Sequence, residues 1–159
     1  MKFIDGGVCA AQGFKAAGLH VGVKTHKLEK KDVALIVSDV DCSAAAVFTK
    51  NVVKAAPIHV DQLHLADGTD RAIIANSGNA NACAPHGEEN AEAECAAVAK
   101  ALGIPAGNVL VSSTGVIGQT LPVKVIEDAV PELVSLLESS AAASDSAAQA
   151  IMTTDTVKK

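Results

Sequence analysis

Two apolar runs in this chain end in the same unusual way. Residues 71–75 (RAIIA) lead into NSGNANAC at 76–83, and residues 109–111 (VLV) lead into SSTGVIG at 112–118. A short apolar run closed by glycine and small polar residues reads as a buried strand that stops abruptly. Glycine lets backbone approach where a Cβ would obstruct it, so each end is able to present amides and hydroxyls to a common site. Acyl-transfer chemistry is prepared in this way, with paired donors holding the oxyanion that forms as a carbonyl becomes tetrahedral. No obvious activated nucleophile accompanies these donors, so the active site they suit is expected to be only partly present here.

The rest of the composition narrows the partners. At 159 residues and 16.0 kDa, with 49% hydrophobic residues, the chain has material for one domain with a substantial core. It has no Trp, no Tyr and three Phe, which favours closely packed aliphatic layers over aromatic clusters and argues against a nucleic-acid reader. With 18 acidic residues against 13 basic ones the net charge is -5, which suits neither phosphate backbones nor anionic membranes. There is no secretory pattern and no membrane-length apolar run, so a soluble, cytoplasmic protein is expected. Cys9, Cys42, Cys83 and Cys95 lack a paired spacing and read as small buried residues. The five histidines are scattered, and no metal-ligand pattern emerges.

Along the chain, residues 14–24 alternate weakly between glycines, and 31–40 (KDVALIVSDV) read as a buried strand. Residues 43–50 (SAAAVFTK) and 56–60 (APIHV) are expected to be neighbouring strands. The turn at Asp67 and Gly68 precedes a strand over 71–75, which the polar residues 76–79 end. Such short connections predict a mixed or antiparallel sheet. From Glu88 to Leu102, Ala91, Cys95, Val98 and Leu102 recur at helical spacing, Glu88, Glu89, Glu92 and Glu94 populate the early turns, and Gly103 stops the helix. A second helix opens at Pro122 with an apolar face of Val125, Ile126, Ala129, Val130, Leu133, Leu136 and Leu137, and Pro131 is expected to break or kink it. The Ala- and Ser-rich stretch 139–150 predicts a further helix, with Ser144 or Asp145 available as a cap.

Each candidate site also has a plain structural reading. Ser112, Ser113, Thr114 and Gly115 suit an oxyanion site, and they equally suit a turn that satisfies its own backbone. NSGNANAC carries more hydrogen-bonding capacity than a hairpin needs, which fits packing beside a polar ligand or a helix cap followed by a loop. Neither glycine cluster is followed by the Lys-Ser/Thr pair of a phosphate-binding loop. In MTTDT at 152–156, Thr153 or Thr154 could hold a substrate carboxylate or amine, while Asp155 orients them or caps a turn.

KAAPIHV at 54–60, NSGNANAC at 76–83, VLVSSTGVIG at 109–118 and AIMTTDT at 150–156, in that order, closely resemble the N-terminal part of the arginine-biosynthesis ornithine acetyltransferase family, the glutamate N-acetyltransferases. The resemblance runs from GFKAAG at 13–18 onward and so covers nearly the whole chain. It implies an α/β (α+β) fold, a layered αββα sandwich shared with certain self-cleaving aminopeptidases and incomplete here. It implies that residues 1–159 form a single N-terminal, α-chain domain truncated before the self-cleavage site. In that family a precursor cuts itself into α and β chains, and the threonine exposed at the start of β takes acetyl from N-acetylornithine and passes it to glutamate. An N-terminal threonine uses its own α-amine as base, which would explain the scattered histidines.

By the same resemblance Thr114 and Gly115 supply the oxyanion hole, and Thr153, with Thr154 next, contacts substrate. No resident cofactor or metal is implied, although acetyl-CoA serves as acetyl donor in bifunctional members. The implied partner is the β chain of the same precursor in an α2β2 heterotetramer. The family's Lys-Gly segment and Ala-Thr cleavage junction do not occur in the sequence, and the final VKK differs from the expected Val-Pro-Lys. The nucleophile is therefore expected outside this chain, and the chain alone is expected to be inactive. Two alternatives remain at this stage: part of a self-cleaving aminopeptidase of similar architecture, and a catalytically inactive fragment or small-ligand-binding module.

Overall fold

The computed structural model describes residues 4–25 and 30–157. Lys158 and Lys159, where the ending departs from Val-Pro-Lys, lie outside the described residues. Four strands, β1 (Phe14–Leu19), β2 (Val33–Ser43), β3 (Thr69–Asn79) and β4 (Val109–Val116), form one sheet in that order. β1, β2 and β3 pair antiparallel, and β4 joins β3 in parallel. A parallel neighbour needs a crossover, which helix α2 (Gly87–Leu102) provides. The sheet is thus mixed, as the short connections suggest.

Strand alternation sorts the side chains onto two faces. On one, Leu35, Val37, Ile74, Val109 and Val111 meet Val60 of α1 (Ala56–His64), Ala91, Cys95 and Val98 of α2, and Ile126, Val130 and Leu133 of α3 (Val123–Ser135). On the other, Ala16 and Ala34 meet Ala143, Ala147 and Ala150 of α4 (Ala141–Ala150). The small residues set this second spacing. A Cβ placed on Gly18 of β1 would fall on the backbone carbonyl of Ser146, so α4 lies as close to the sheet as backbone allows. The mixed α/β fold is therefore present as one helical layer on one sheet, with α4 over part of the opposite face. The second sheet of a complete sandwich is not among the described residues.

Several expectations are corrected by local physics. Residues 56–60 lie in helix α1, not in a strand: Pro57 sits in the first turn, where its missing N–H costs nothing, and the Ala56 amide bonds the Asn81 carbonyl at 3.1 Å. β2 ends at Ser43, and residues 44–50 have no regular structure, with Val47 fully exposed. β3 does not stop before the polar motif but runs through it to Asn79. Pro131 lies inside α3 without ending it. It falls near the C-terminal end, so only a short final turn follows the lost bond, and burial of Val130 and Leu133 beside it holds that turn. Val125 and Leu136, expected on the apolar face, are 37% and 47% exposed. Ser140, not Ser144 or Asp145, caps α4, its hydroxyl accepting the Ala143 amide at 3.0 Å. Ser144 is buried instead, donating to the Gly6 carbonyl at 2.7 Å and accepting from the Cys9 amide at 3.0 Å.

The approach of α4 to β1 is testable. Gly18→Ala should destabilise the fold by about 1–3 kcal/mol, because helix backbone has to move to admit one methyl group. Urea denaturation measures this, and a midpoint equal to that of the parent would contradict the close contact.

Candidate functional site

β3 and β4 lie side by side with Asn76 opposite Ser113, Ser77 opposite Thr114 and Gly78 opposite Gly115, so the fold brings the two sequence motifs together. The pairing slips at Gly78 and Asn79. Both glycines have positive φ, +110° at Gly78 and +138° at Gly115, which side-chain-bearing residues rarely adopt. A Cβ on Gly115 would run into the Gly78 backbone and lie 2.6 Å from the Asn79 nitrogen. Any residue but glycine at 115 would separate the strand ends.

Alternation decides where the neighbouring side chains point. Asn76 and Ser113 continue the helical face, whereas Ser77 and Thr114 belong to the face that α4 partly covers. The Ser77 hydroxyl accordingly donates to the Ala150 carbonyl at the end of α4. Beyond α4 that face opens into a cleft of about 690 Å³, with Ala34, Ile36, Ile73 and Ala75 as its floor, Ser112 and Thr114 along β4, and Ser144, Asp145 and Ile151 on the α4 side. Thr114 is exposed there. The described residues bordering the cleft include no histidine, so it holds no Ser–His pair of its own.

The polar capacity of NSGNANAC is spent mostly within the protein. Asn76 Nδ2 donates to the Asn79 carbonyl at 2.9 Å. Asn79 Nδ2 donates to the Gln119 and Thr120 carbonyls at 3.1 and 3.2 Å, and its Oδ1 accepts the Asn81 amide at 2.8 Å. Asn81 Nδ2 donates to the Gly87 carbonyl at 2.8 Å at the start of α2. These bonds hold a segment in which Asn81, Cys83 and His86 all have positive φ. The motif is thus chiefly a brace that fixes the β3 end against the loop after β4 and the start of α2.

Thr153 and Thr154 follow Ile151 but do not themselves line the cleft. Thr153 is half-buried, its amide 3.4 Å from Asp155 Oδ2, and Thr154 is exposed. Two residues that the sequence reading passed over lie between this segment and the strand ends. Asp32, fully buried, accepts the amides of Val21 (2.7 Å), Gly22 (3.2 Å) and Lys24 (3.0 Å). Lys24, also buried, reaches the Met152 carbonyl at 2.6 Å. Lys24 follows a lone Gly22-Val23 pair and Asp32 stands just ahead of an apolar run, signals too common to single either out.

The ArgJ family profile matches residues 15–159. The chain belongs to the ArgJ family. It is 49% identical over 158 residues to the chloroplastic arginine biosynthesis bifunctional protein ArgJ of Physcomitrium patens, covering 98% of this chain and 30% of that protein. It is 47% identical to ArgJ of Gloeobacter violaceus, covering 99% of this chain and 38% of that protein. The chain therefore spans about a third of the length of such ArgJ relatives. The crystal structure of ArgJ from Bacillus halodurans superposes with a TM-score of 0.91 at 42% identity, covering 99% of this chain and 81% of that one. Ornithine acetyltransferase from Mycobacterium tuberculosis, complexed with ornithine, gives 0.89 at 42% identity, covering 95% and 81%. Among the described residues no helix is long and apolar enough to cross a membrane.

The helical face of this ArgJ-family chain carries its own set of ionisable groups. Glu94, one of the glutamates expected in the early turns of α2, is fully buried, and neither carboxyl oxygen has a hydrogen-bond partner among the described residues. Burial pushes it up to about 8. Burial also raises Asp61 to about 6, opposed by the Val111 amide at 2.9 Å and by His64. Asp70 is raised by burial against the amides of Arg71 and Ala72. The Cys95 thiol, pushed up by burial and donating to the Val109 carbonyl at 3.3 Å, is an inert core group.

Each of these carboxyls has a folded pKa above its unfolded one, so the folded state holds the extra protons. Their stabilising contribution is complete below the ordinary carboxylate range and is lost as pH rises through about 6 for Asp61 and about 8 for Glu94. Glu94→Gln should therefore raise stability near pH 8.5 more than near pH 5 and flatten the decline between them. Urea denaturation across that range measures it, and parallel stability profiles for the two proteins would refute the burial of an ionisable Glu94.

Proposed function

We propose that this chain is part of a glutamate N-acetyltransferase that moves acetyl from N-acetylornithine to glutamate in arginine biosynthesis. The observation that carries this reading is the glycine-on-glycine contact of β3 and β4, which sets Thr114 at the rim of an open cleft beside a backbone freed from regular strand geometry. The Thr114 hydroxyl and the Gly115 amide are the oxyanion donors in this reading, and Thr153, with Thr154, contacts the substrate. Similarity to an ornithine-complexed acetyltransferase supports ornithine as the shared part of the substrate.

The chemistry follows from what the cleft offers. A threonine hydroxyl from the remainder of the protein attacks the acetyl carbonyl, its proton passing to the threonine's own α-amine. The carbonyl electrons move onto oxygen, where Thr114 and Gly115 hold them until the C–N bond breaks and ornithine leaves with the proton. The glutamate amine then attacks the acetyl ester through the same oxyanion, giving N-acetylglutamate and restoring the threonine. Self-cleavage of a longer precursor supplies the nucleophile in this reading, and the resulting β chain covers the open sheet face in an α2β2 assembly. Acetyl-CoA is a second acetyl donor if the protein is bifunctional, as its relatives are named. A soluble compartment, cytoplasmic in the first instance, suits these substrates.

The test uses the full-length protein that carries this chain, assayed for transfer of labelled acetyl from N-acetylornithine to glutamate. Thr114→Ala should lower kcat about 10²- to 10³-fold while the assembled protein elutes unchanged on gel filtration. Parent-like turnover in the variant would remove Thr114 from the oxyanion site. Hydrolysis of free-amine peptides with no acetyl transfer would favour an aminopeptidase instead.

A further inference from the structure

Lys24 connects the two halves of the candidate site. Its position is set from one end by Asp32, whose buried carboxylate accepts the Lys24 amide at 3.0 Å and whose backbone carbonyl accepts the Ser77 amide at 2.8 Å. One residue thus anchors both Lys24 and the strand that carries Gly78. The lysine stem then passes directly over Gly78, where a Cβ would lie 2.8 Å from Lys24 Cγ. Gly78 is consequently gripped between the Lys24 stem on one side and Gly115 on the other. Beyond Gly78 the ammonium donates to the Lys31 carbonyl at 2.9 Å and to the Met152 carbonyl at 2.6 Å. Met152 immediately precedes Thr153.

We infer that Lys24 is a positioning residue for acyl transfer, fixing the Thr153 segment at a set distance from the Thr114–Gly115 strand end. The inference rests on the reading that Thr114, Gly115 and Thr153 meet one substrate. Its physical basis is independent of that reading. A buried ammonium bonded to carbonyls is charge-assisted and directional, and removing it leaves two carbonyls short of a donor. The other described contacts of this segment are the Ser77 hydroxyl on the Ala150 carbonyl, the Ile151 and Met152 amides on the Ala147 and Gln149 carbonyls, and the Thr153 amide facing the Asp155 carboxylate. Of these described contacts, the Lys24 bond is the one that ties the residue next to Thr153 to the glycine pair.

The test compares Lys24→Met with Ser140→Ala in the full-length protein. Lys24→Met keeps an unbranched stem over Gly78 and loses the donor. Ser140→Ala removes the α4 cap, which touches neither strand end, and serves as a control for lost stability alone. Two readouts are taken: KM and kcat for N-acetylornithine, and the calorimetric Kd for ornithine. Lys24→Met should raise both KM and Kd about tenfold with kcat changed far less, because a displaced substrate contact weakens the bound ground state and the transition state together. Ser140→Ala should lower the melting temperature and leave KM and Kd as they were. A Lys24→Met protein with parent KM and Kd would overturn the inference, as would a control that shifts both as much. If the parent binds ornithine without transferring acetyl, the acetyltransferase reading fails, and the Kd comparison still decides Lys24. Should Lys24→Met not fold, Lys24→Gln, with a donor on a shorter stem, carries the comparison with a smaller expected rise.

Discussion

Two backbones meet at Gly78 and Gly115 with no side chain between them, and the arrangement of the polar residues depends on that contact. A methyl group at Gly115 would enter the neighbouring strand, so β4 could no longer end beside β3. The Asn79 side chain, which reaches the Gln119 and Thr120 carbonyls past the end of β4, would lose its partners with it. So would the Ala80 amide, which bonds the Val116 carbonyl at 2.9 Å, and the Gly118 amide, which bonds the Ala82 carbonyl at the same distance. Positive φ at both glycines carries an entropic cost in a flexible unfolded chain. Here the cost is offset by a brace of short hydrogen bonds around the contact, which is why the strand ends are fixed and not frayed.

The two faces of the sheet solve different packing problems. Branched side chains from three helices fill the helical face, where Leu35, Ile74, Ile126 and Leu133 are almost completely buried. The other face is built for close approach: Ala16, Gly18 and Ala34 accept a helix whose inward residues are Ala143, Ala147 and Ala150. Alanine buries little area and gives little hydrophobic stabilisation per residue. α4 is accordingly held by polar links as well, from Ser144 to Gly6 and Cys9, from Ser146 to the Gly18 carbonyl at 3.0 Å, and from Ser77 to the Ala150 carbonyl. A thin helix on a small-residue surface leaves room at its edge, and that room is the cleft.

Much of this architecture is legible in the sequence, and the parts that are not share a reason. The α2 helix follows from Ala91, Cys95 and Val98 at helical spacing and from Gly103, and the strands follow from the apolar runs. The meeting of NSGN with SSTG follows once β3 and β4 are parallel. Residues 56–60 misled because Ile58 and Val60 look like strand residues, while the deciding contact is the Ala56 amide on Asn81, a residue of a distant motif. Glu94 misled for another reason: the early glutamates of α2 read as one acidic set, but Glu94 stands three residues after Ala91 and four before Val98, on the face that the helix buries. Of the candidate site, Thr114 and Gly115 are visible as a motif. Lys24 is not, because its bond to Met152 joins residues 128 apart in sequence and no local pattern encodes it.

The distribution of charge across the sheet bears on what the open cleft can do. Glu94, Asp61 and Asp70, the carboxyls raised by burial, are associated with the helical layer, where Asp61 bonds β4 from α1 and Glu94 lies within α2. The strands contribute to the cleft only aliphatic groups, the edge of Asn76 and the hydroxyls of Ser112 and Thr114. Neutral donors against an apolar floor suit an oxyanion that exists only in passing: they stabilise negative charge as it develops, yet cost little when the carbonyl is neutral. A fixed cation there would hold a substrate carboxylate as tightly before reaction as during it, and would lower the barrier less. Lys24, whose stem crosses Gly78, places its ammonium on the Lys31 and Met152 backbone carbonyls. In the proposed reaction its charge holds geometry, and the differential stabilisation falls to the Thr114 hydroxyl and Gly115 amide dipoles.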